Sequence, residues 1–360
     1  MKKTLVAIGA LSAISAFAQS SVTLGGTVDV RFAIGNGDTS NSTALRNNGI
    51  ASSQFRFVGV EDLGGGLKAG FHLEAGFNPD DATGSASQVN NQAVGAFNPV
   101  TGANAGVRPG SQGFTFNRRS TLSLMGGFGE LRLGRDYTPH FWNHTFYDPF
   151  GTNGVASSMA LTGSLVAGGV TTVRASNTIG YLSPNFGGFS GQIQTYFGEN
   201  ASNSAAGSNT GSGTSLRVGY AQGPISVGLA WGKTNTGINT DVTSTNIGGS
   251  YDLGIVKIMA LYTKDANTNV RDFTGGLIGV TAPLGSGTAK ASFSQSDNGA
   301  GAVAKMFAVG YVYDLSKRSS VYATVASVNN SGGSGQALNG ATTSGNGGST
   351  GFDLGVKHSF

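Results

Sequence analysis

The chain has 360 residues, 60 glycines, no cysteine and only 11% charged residues, about half the charged share of an ordinary soluble domain. Its net charge of +4 is too weak for a nucleic-acid binder. Beyond the first twenty residues no apolar run reaches the roughly 20 residues that a membrane-crossing helix needs.

The N-terminus reads as an export signal. Lys2 and Lys3 precede a short apolar core from Leu5 to Ile14, and Ala16-Phe17-Ala18 has the small-residue pattern of a cleavage site. Residues 1–18 are therefore expected to be removed, leaving 19–360 as one domain.

The remainder alternates. From Val22 to Phe32 one face carries Val22, Leu24, Gly26, Val28, Val30 and Phe32, and the other carries Thr23, Gly25, Thr27, Asp29 and Arg31. A period of two with one apolar and one polar face marks a half-buried strand. The same pattern predicts strands near 21–34, 52–62, 66–78, 116–126, 128–136, 174–184, 188–198, 214–222, 224–233, 243–252, 254–264, 272–283, 286–296, 303–314, 318–329 and 350–360. Short Gly- and Pro-rich turns alternate with long loops near 35–51, 79–115, 137–173, 199–213, 234–242, 265–271, 297–302 and 330–349. Sixteen strands with short turns at one end and long loops at the other describe an all-β, transmembrane antiparallel barrel. Lipid supplies no hydrogen-bond partners, so such a sheet must close on itself. At this strand number it encloses water. Tyr181, Tyr196, Tyr220, Trp231, Tyr251, Tyr262, Tyr311, Tyr313 and Tyr322 fall near strand ends, where aromatic girdles sit.

Alternation also sorts the charges. Arg56 lies between Phe55 and Phe57 and so faces the lumen, as do Lys68, Glu74 and Arg174. Arg118 and Arg119 are adjacent, so strict alternation admits only one. Leu122 and Leu124 facing outward select Arg119, while a bulge or strand end would admit both. Leu131 and Leu133 facing outward send Arg135 outward too.

Several segments resemble general diffusion porins of Gram-negative outer membranes, especially the β-proteobacterial and often anion-selective type. They are Ser20 to Asp29, Val60 to Phe71, Phe116 to Thr121, Phe128 to Tyr137, Tyr181 to Phe189, Leu315 to Arg318 and the terminal Phe360. The resemblance implies a homotrimer in outer-membrane lipid and lipopolysaccharide, passing small hydrophilic solutes and anions. It implies that the third loop, 137–173, folds into the lumen, with Tyr147-Asp148-Pro149-Phe150-Gly151 at its tip. It places Arg118 and Arg135 at the pore, with Glu74 and Asp148 opposing or anchoring the arginines. It also makes Phe360 the address for the barrel assembly machinery. The family usually has Arg where Gln54 and Val58 stand, and Arg56 between them is the candidate replacement.

The expected pore constriction is thus Arg56, Arg118, Arg119, Arg135, Arg174, Glu74 and Asp148. A pore needs no nucleophile or base, and no cofactor is implied. Two rivals remain. A substrate-specific channel for a sugar, nucleoside or organic acid would use Phe141, Trp142, Phe146, Tyr147 and Phe150, which equally suit packing of the loop. A barrel enzyme would need convergent catalytic groups. His140 and His144 have a spacing open to metal but lack a third ligand.

Overall fold

The computed structural model describes residues 21–84, 91–92, 114–162, 171–203, 207–237, 240–267 and 271–360. The expected signal, 1–18, lies outside them. Among these residues are eighteen strands, of which Ser42–Asn47 and Thr83–Gly84 are short accessories beside the barrel wall. The other sixteen are β1 (Ser21–Gly37), β2 (Gln54–Gly64), β3 (Leu67–Asn78), β4 (Arg119–Gly126), β5 (Gly129–Tyr137), β6 (Arg174–Leu182), β7 (Phe189–Tyr196) and β8 (Gly213–Gln222). They continue as β9 (Ile225–Gly237), β10 (Thr240–Asp252), β11 (Lys257–Asn267), β12 (Asp272–Leu284), β13 (Gly287–Asp297), β14 (Val303–Asp314), β15 (Ser319–Ser331) and β16 (Gly348–Ser359).

Each strand pairs antiparallel with its neighbours in sequence, and β16 pairs with β1 in the register Val30↔Val356. That last ladder closes the barrel and removes the sheet edge. The backbones of Gly26 and Phe360 exchange hydrogen bonds at 3.0 and 3.1 Å, extending the closure to the last residue. Two outer connections are tighter than the sequence suggests. β9 runs on to Gly237 and β10 starts at Thr240, and β11 reaches Asn267 before β12 begins at Asp272. These extensions are mostly polar (Lys233, Thr234 and Asn235 against Asp241 and Thr243, with Val242 turned inward), so the ladder continues after the apolar outer band has ended.

The outer wall exposes Leu122, Leu124, Leu131, Leu133, Ile179, Ile193, Leu229, Ile247, Ile278, Phe293, Leu354 and Val356. In water this would be one continuous aggregation patch; in lipid it is the solvated face. Tyr181, Tyr251, Tyr262 and Tyr313 sit exposed on that wall. Tyr196 and Tyr322 do not join them. Both are buried, on the inward faces that Gln194 and Ser320 share, and their hydroxyls donate to Lys233 O and to Asp29.

Inside the barrel lies the third loop, described over residues 138–162 and 171–173. It carries a short 3-10 turn (Pro139–Phe141) and two short helices, α1 (Trp142–Phe146) and α2 (Met159–Thr162). The loop presses against the inner wall from β8 round to β16. His140 N donates to Ser215 Oγ at 3.2 Å, Asn143 Nδ2 to Gly228 O at 3.0 Å, and Val155 N to Asp353 Oδ2 at 2.9 Å.

Inward-facing glycines make room for it. A Cβ on Gly228 would sit 2.5 Å from Asn143, on Gly248 2.3 Å from Tyr147, on Gly275 2.4 Å from Thr162, and on Gly351 2.4 Å from Val155. Farther along, Phe150, Val155, Ala156 and Leu161 pack on Ala304, Met306, Ala308, Ala326 and Val328. The inner wall of β14 and β15 is apolar there because the loop covers it. Burying each larger side chain of this patch stabilises the seat by about 1.5–3 kcal/mol.

Gly248→Ala should overpack this seat and cost about 1–3 kcal/mol, read as a lower temperature of band-shift unfolding. Gly249→Ala on the adjoining outward position is the control, and an equal effect there would remove the seat explanation.

Candidate functional site

The open part of the lumen lies between the third loop and the wall of β2–β6. A cavity of about 480 Å³ is lined there by Gln54, His72, Glu74, Arg118, Arg119, Tyr137, Trp142 and Arg174, among others. Arg118 and Arg119 both reach it. β4 begins at Arg119, and Arg118 precedes the ladder, held by a single backbone bond from its N–H to Glu74 O at 3.1 Å. Strict alternation does not bind a residue at that position, so neighbours in sequence share the lumen.

Tyr137 joins the arginines. Its hydroxyl accepts from Arg118 at 2.6 Å and from Arg174 at 2.9 Å, and donates to Glu74 Oε1 at 3.0 Å. Arg118 Nε contacts the same carboxylate at 2.5 Å. The Arg174 guanidinium lies 4.4 Å from the Tyr137 ring centre, a cation–π arrangement. Arg174 has no ion pair among the described residues. Arg119 is held from behind by Asp136 at 3.2 Å, and Asp136 in turn binds Arg132 at 2.7 Å. His72 bridges, with Nε2 3.3 Å from Glu74 and Nδ1 3.2 Å from Arg119. Fixed hydrogen bonds to every guanidinium limit its swing, so the charge stays where a passing ion feels it.

The three remaining expected residues do not line this cavity. Arg56 is exposed on the inner face opposite Glu74 in register, without an ion pair among the described residues. Arg135 stands opposite Ser120, on the side of Leu131 and Leu133. It donates to Asn117 O at 2.6 Å and to Ser176 Oγ at 2.7 Å, so it ties the rim together and does not line the cavity. The register irregularity between Gly134 and Asp136 falls on the ladder to β6. Asp148 is fully buried within the loop. Its carboxylate accepts from Phe150 N and Ser158 N, both at 2.8 Å. It anchors the loop's own turn rather than the arginines.

Sequence reasoning missed Tyr137, Arg132, Asp136 and Arg217. The inward facing of Arg132 and Arg217 follows from the same alternation test, since Leu131 and Leu133, and Leu216 and Val218, flank them. Nothing signals Tyr137, because it ends its strand. His140 gives its Nδ1 to Ser215 Oγ at 2.8 Å. Burial holds both histidines neutral, with His140 pushed down to about 3 and His144 to about 4. No group of three His, Cys, Asp or Glu that would hold a metal occurs among the described residues.

A family model described as Gram-negative porin matches residues 4–333. The chain belongs to the Gram-negative porin family. Two relatives match it over nine tenths of its length or more. Outer membrane porin protein 32 of Delftia acidovorans is 35% identical over 100% of both chains, and an outer membrane porin protein of Bordetella pertussis is 27% identical over 90% of this chain and 93% of its own. The solved anion-selective porin from Comamonas acidovorans superposes with a TM-score of 0.79 at 32% identity, over 95% of this chain and 100% of that one. This porin is an outer-membrane diffusion channel and not an enzyme.

Asp148 supplies a pH test. Burial raises its carboxyl from 3.8 to about 6, so the folded loop favours the neutral acid. The resulting stabilisation is complete below the ordinary value and is lost as pH rises through about 6. Brief closures in single-channel recordings should be more frequent at pH 8 than at pH 5, and Asp148→Asn should flatten that slope. An unchanged slope in the variant would assign it to another group.

Proposed function

We propose that the pore prefers anions and that 137–173 is its constriction loop. The observation that carries this reading is the charge around the aperture. Three guanidiniums, of Arg118, Arg119 and Arg174, face one carboxylate, that of Glu74. Arg56 adds a fourth cation on the same wall. Rings of arginine favour anions, and guanidinium cannot be titrated away near neutral pH. The solved porin from Comamonas acidovorans is described as anion-selective, which supports the same sign.

The working unit is proposed to be a homotrimer of the chain from residue 19, set in lipid and lipopolysaccharide. Support comes from a cluster of aromatic rings on the outer wall. Phe55 meets Phe57 at 5.0 Å, Phe114 at 5.9 Å and Phe360 at 6.3 Å, and Phe114 meets Phe116 at 5.6 Å. Phe360 on that outer face is the proposed address for the assembly machinery.

The test is the reversal potential in a planar bilayer under a KCl gradient. The wild type should give a chloride-preferring potential with conductance steps in threes. A unit charge about 5 Å from the ion path is worth roughly 0.8 kcal/mol in water. Losing two in Arg118→Ala/Arg174→Ala should therefore lower the chloride-to-potassium permeability ratio by at least about tenfold, since chloride loses the attraction and potassium the repulsion. An unchanged ratio would remove these arginines from the filter, and a potassium-preferring wild type would overturn the anion reading.

A further inference from the structure

We propose that the lumen holds a second site, on the short-turn side of the third loop, that binds planar aromatic carboxylates. It rests on the anion-preferring reading above and adds a ligand class to it.

The site is a separate cavity of about 320 Å³, within the range of small-molecule sites. Phe146, Arg217, Lys257, Ser190, Ser226 and Ser250 line it, and no carboxylate does among the described residues. β8 points Arg217 inward and β11 points Lys257 inward. The cavity lies toward the periplasmic end, because Ser190 and Lys257 follow short turns closely. Arg217 uses Nε on Asn143 Oδ1 at 2.7 Å, which fixes the plane of the guanidinium. Its other two nitrogens lie over the bare backbone of Gly219 and Gly228, where a Cβ would come within 2.8 Å, with the Tyr147 hydroxyl as a further side-chain partner. Lys257 has neither an ion pair nor a hydrogen bond among the described residues. Two cations and three hydroxyls without an acid are a receptor for an anion.

The aromatic part of the ligand follows from Phe146. Phe141, Tyr147 and Phe150 are buried to 6% exposure or less, as rings that pack a loop should be. Phe146 instead keeps 46% of its surface exposed inside a water-filled pore. It is the i+4 neighbour of Trp142 on α1, and the two rings lie nearly parallel, with centres 5.6 Å apart and planes 15° apart. Trp142 reaches Tyr137 at 5.0 Å. A strip of rings thus descends from Arg174 at the aperture to Arg217, whose guanidinium lies 5.0 Å from the centre of Phe146. A flat ring can lie on Phe146 while its carboxylate meets Arg217 and Lys257. An aliphatic acid of equal charge satisfies the cations and leaves the ring face wet.

The experiment uses the reconstituted channel with benzoate, cyclohexanecarboxylate or acetate added on the short-turn side. Chloride current and KCl reversal potential are read in the same channels. Benzoate should reduce the current saturably, with a half-blocking concentration about fivefold below that of cyclohexanecarboxylate, the scale of one aromatic contact. Phe146→Ala should abolish that difference, and Lys257→Gln should weaken block by both acids. Heat-modifiable migration checks that each variant has folded. Equal block by the two acids, or an unchanged difference in Phe146→Ala, overturns the proposal. Chloride preference without benzoate block overturns this site alone. Benzoate block in a potassium-preferring channel supports this site while the selectivity reading falls.

Discussion

A loop can lie inside a β-barrel only where the wall leaves its side-chain layer empty, and the rest of the pore depends on that requirement. Side chains of a strand alternate strictly, so every second residue of β8–β16 points at the space the loop must occupy. Glycine at 228, 248, 275 and 351 clears it, and the small or flexible chains of Ala304, Met306, Ala308 and Ala326 receive the loop's second half. Glycine in a strand is entropically costly and contributes no packing of its own. Here the packing comes from the loop. Tyr147, with 1% of its surface exposed, fills the space over Gly228 and Gly248. The wall and the loop are therefore one folding unit.

The seat also decides which wall the solute meets. By covering β8–β16, the loop leaves the water path against β2–β6, where the arginines are. Three guanidiniums held beside one another repel, and the site offsets that repulsion with shared acceptors. The Tyr137 hydroxyl serves two arginines and donates its own proton to Glu74. Asp136 holds Arg119 and Arg132 from below. Glu74 is thus part of the arginine scaffold, and its charge is engaged by Arg118 and His72.

Most of the barrel was legible because lipid and water impose a period of two on every strand. Sixteen strands, the short and long ends, and the inward facing of Arg56, Glu74, Arg119 and Arg174 follow from that rule. It fails where the ladder stops. Arg118 stands one residue before β4 and Tyr137 closes β5, so neither obeys a facing that backbone pairing alone enforces. Arg135 sits where the ladder to β6 shifts register between Gly134 and Asp136, and its side chain bonds Asn117 and Ser176 instead of lining the cavity. Tyr196 and Tyr322 were misplaced for a simpler reason, since residue type suggested a girdle while their register points inward. The loop seat left a trace too. The inward positions Ala304, Met306, Ala308, Ala326 and Val328 are apolar as well as the outward Phe307, Val309 and Val325, which a wall wetted on one side has no reason to be.

The two ends of α1 divide the loop's chemistry. Asn143 and His144 turn toward the wall and are buried, while Trp142 and Phe146 turn toward water. A helix of this length cannot stand by its own hydrogen bonds, so its orientation is fixed by what the wall grips. Asn143 is gripped three times, donating to Gly228 O and Asn246 and accepting from Arg217. With Asn143 pinned and His144 buried beside it, helical geometry leaves Trp142 and Phe146 on the free surface. The exposed ring of Phe146 is then a consequence of the same contacts that seat the loop. Arg217, which helps pin Asn143, also sits over that ring. The wall contact that positions the constriction thereby places a cation and an aromatic face side by side in the channel.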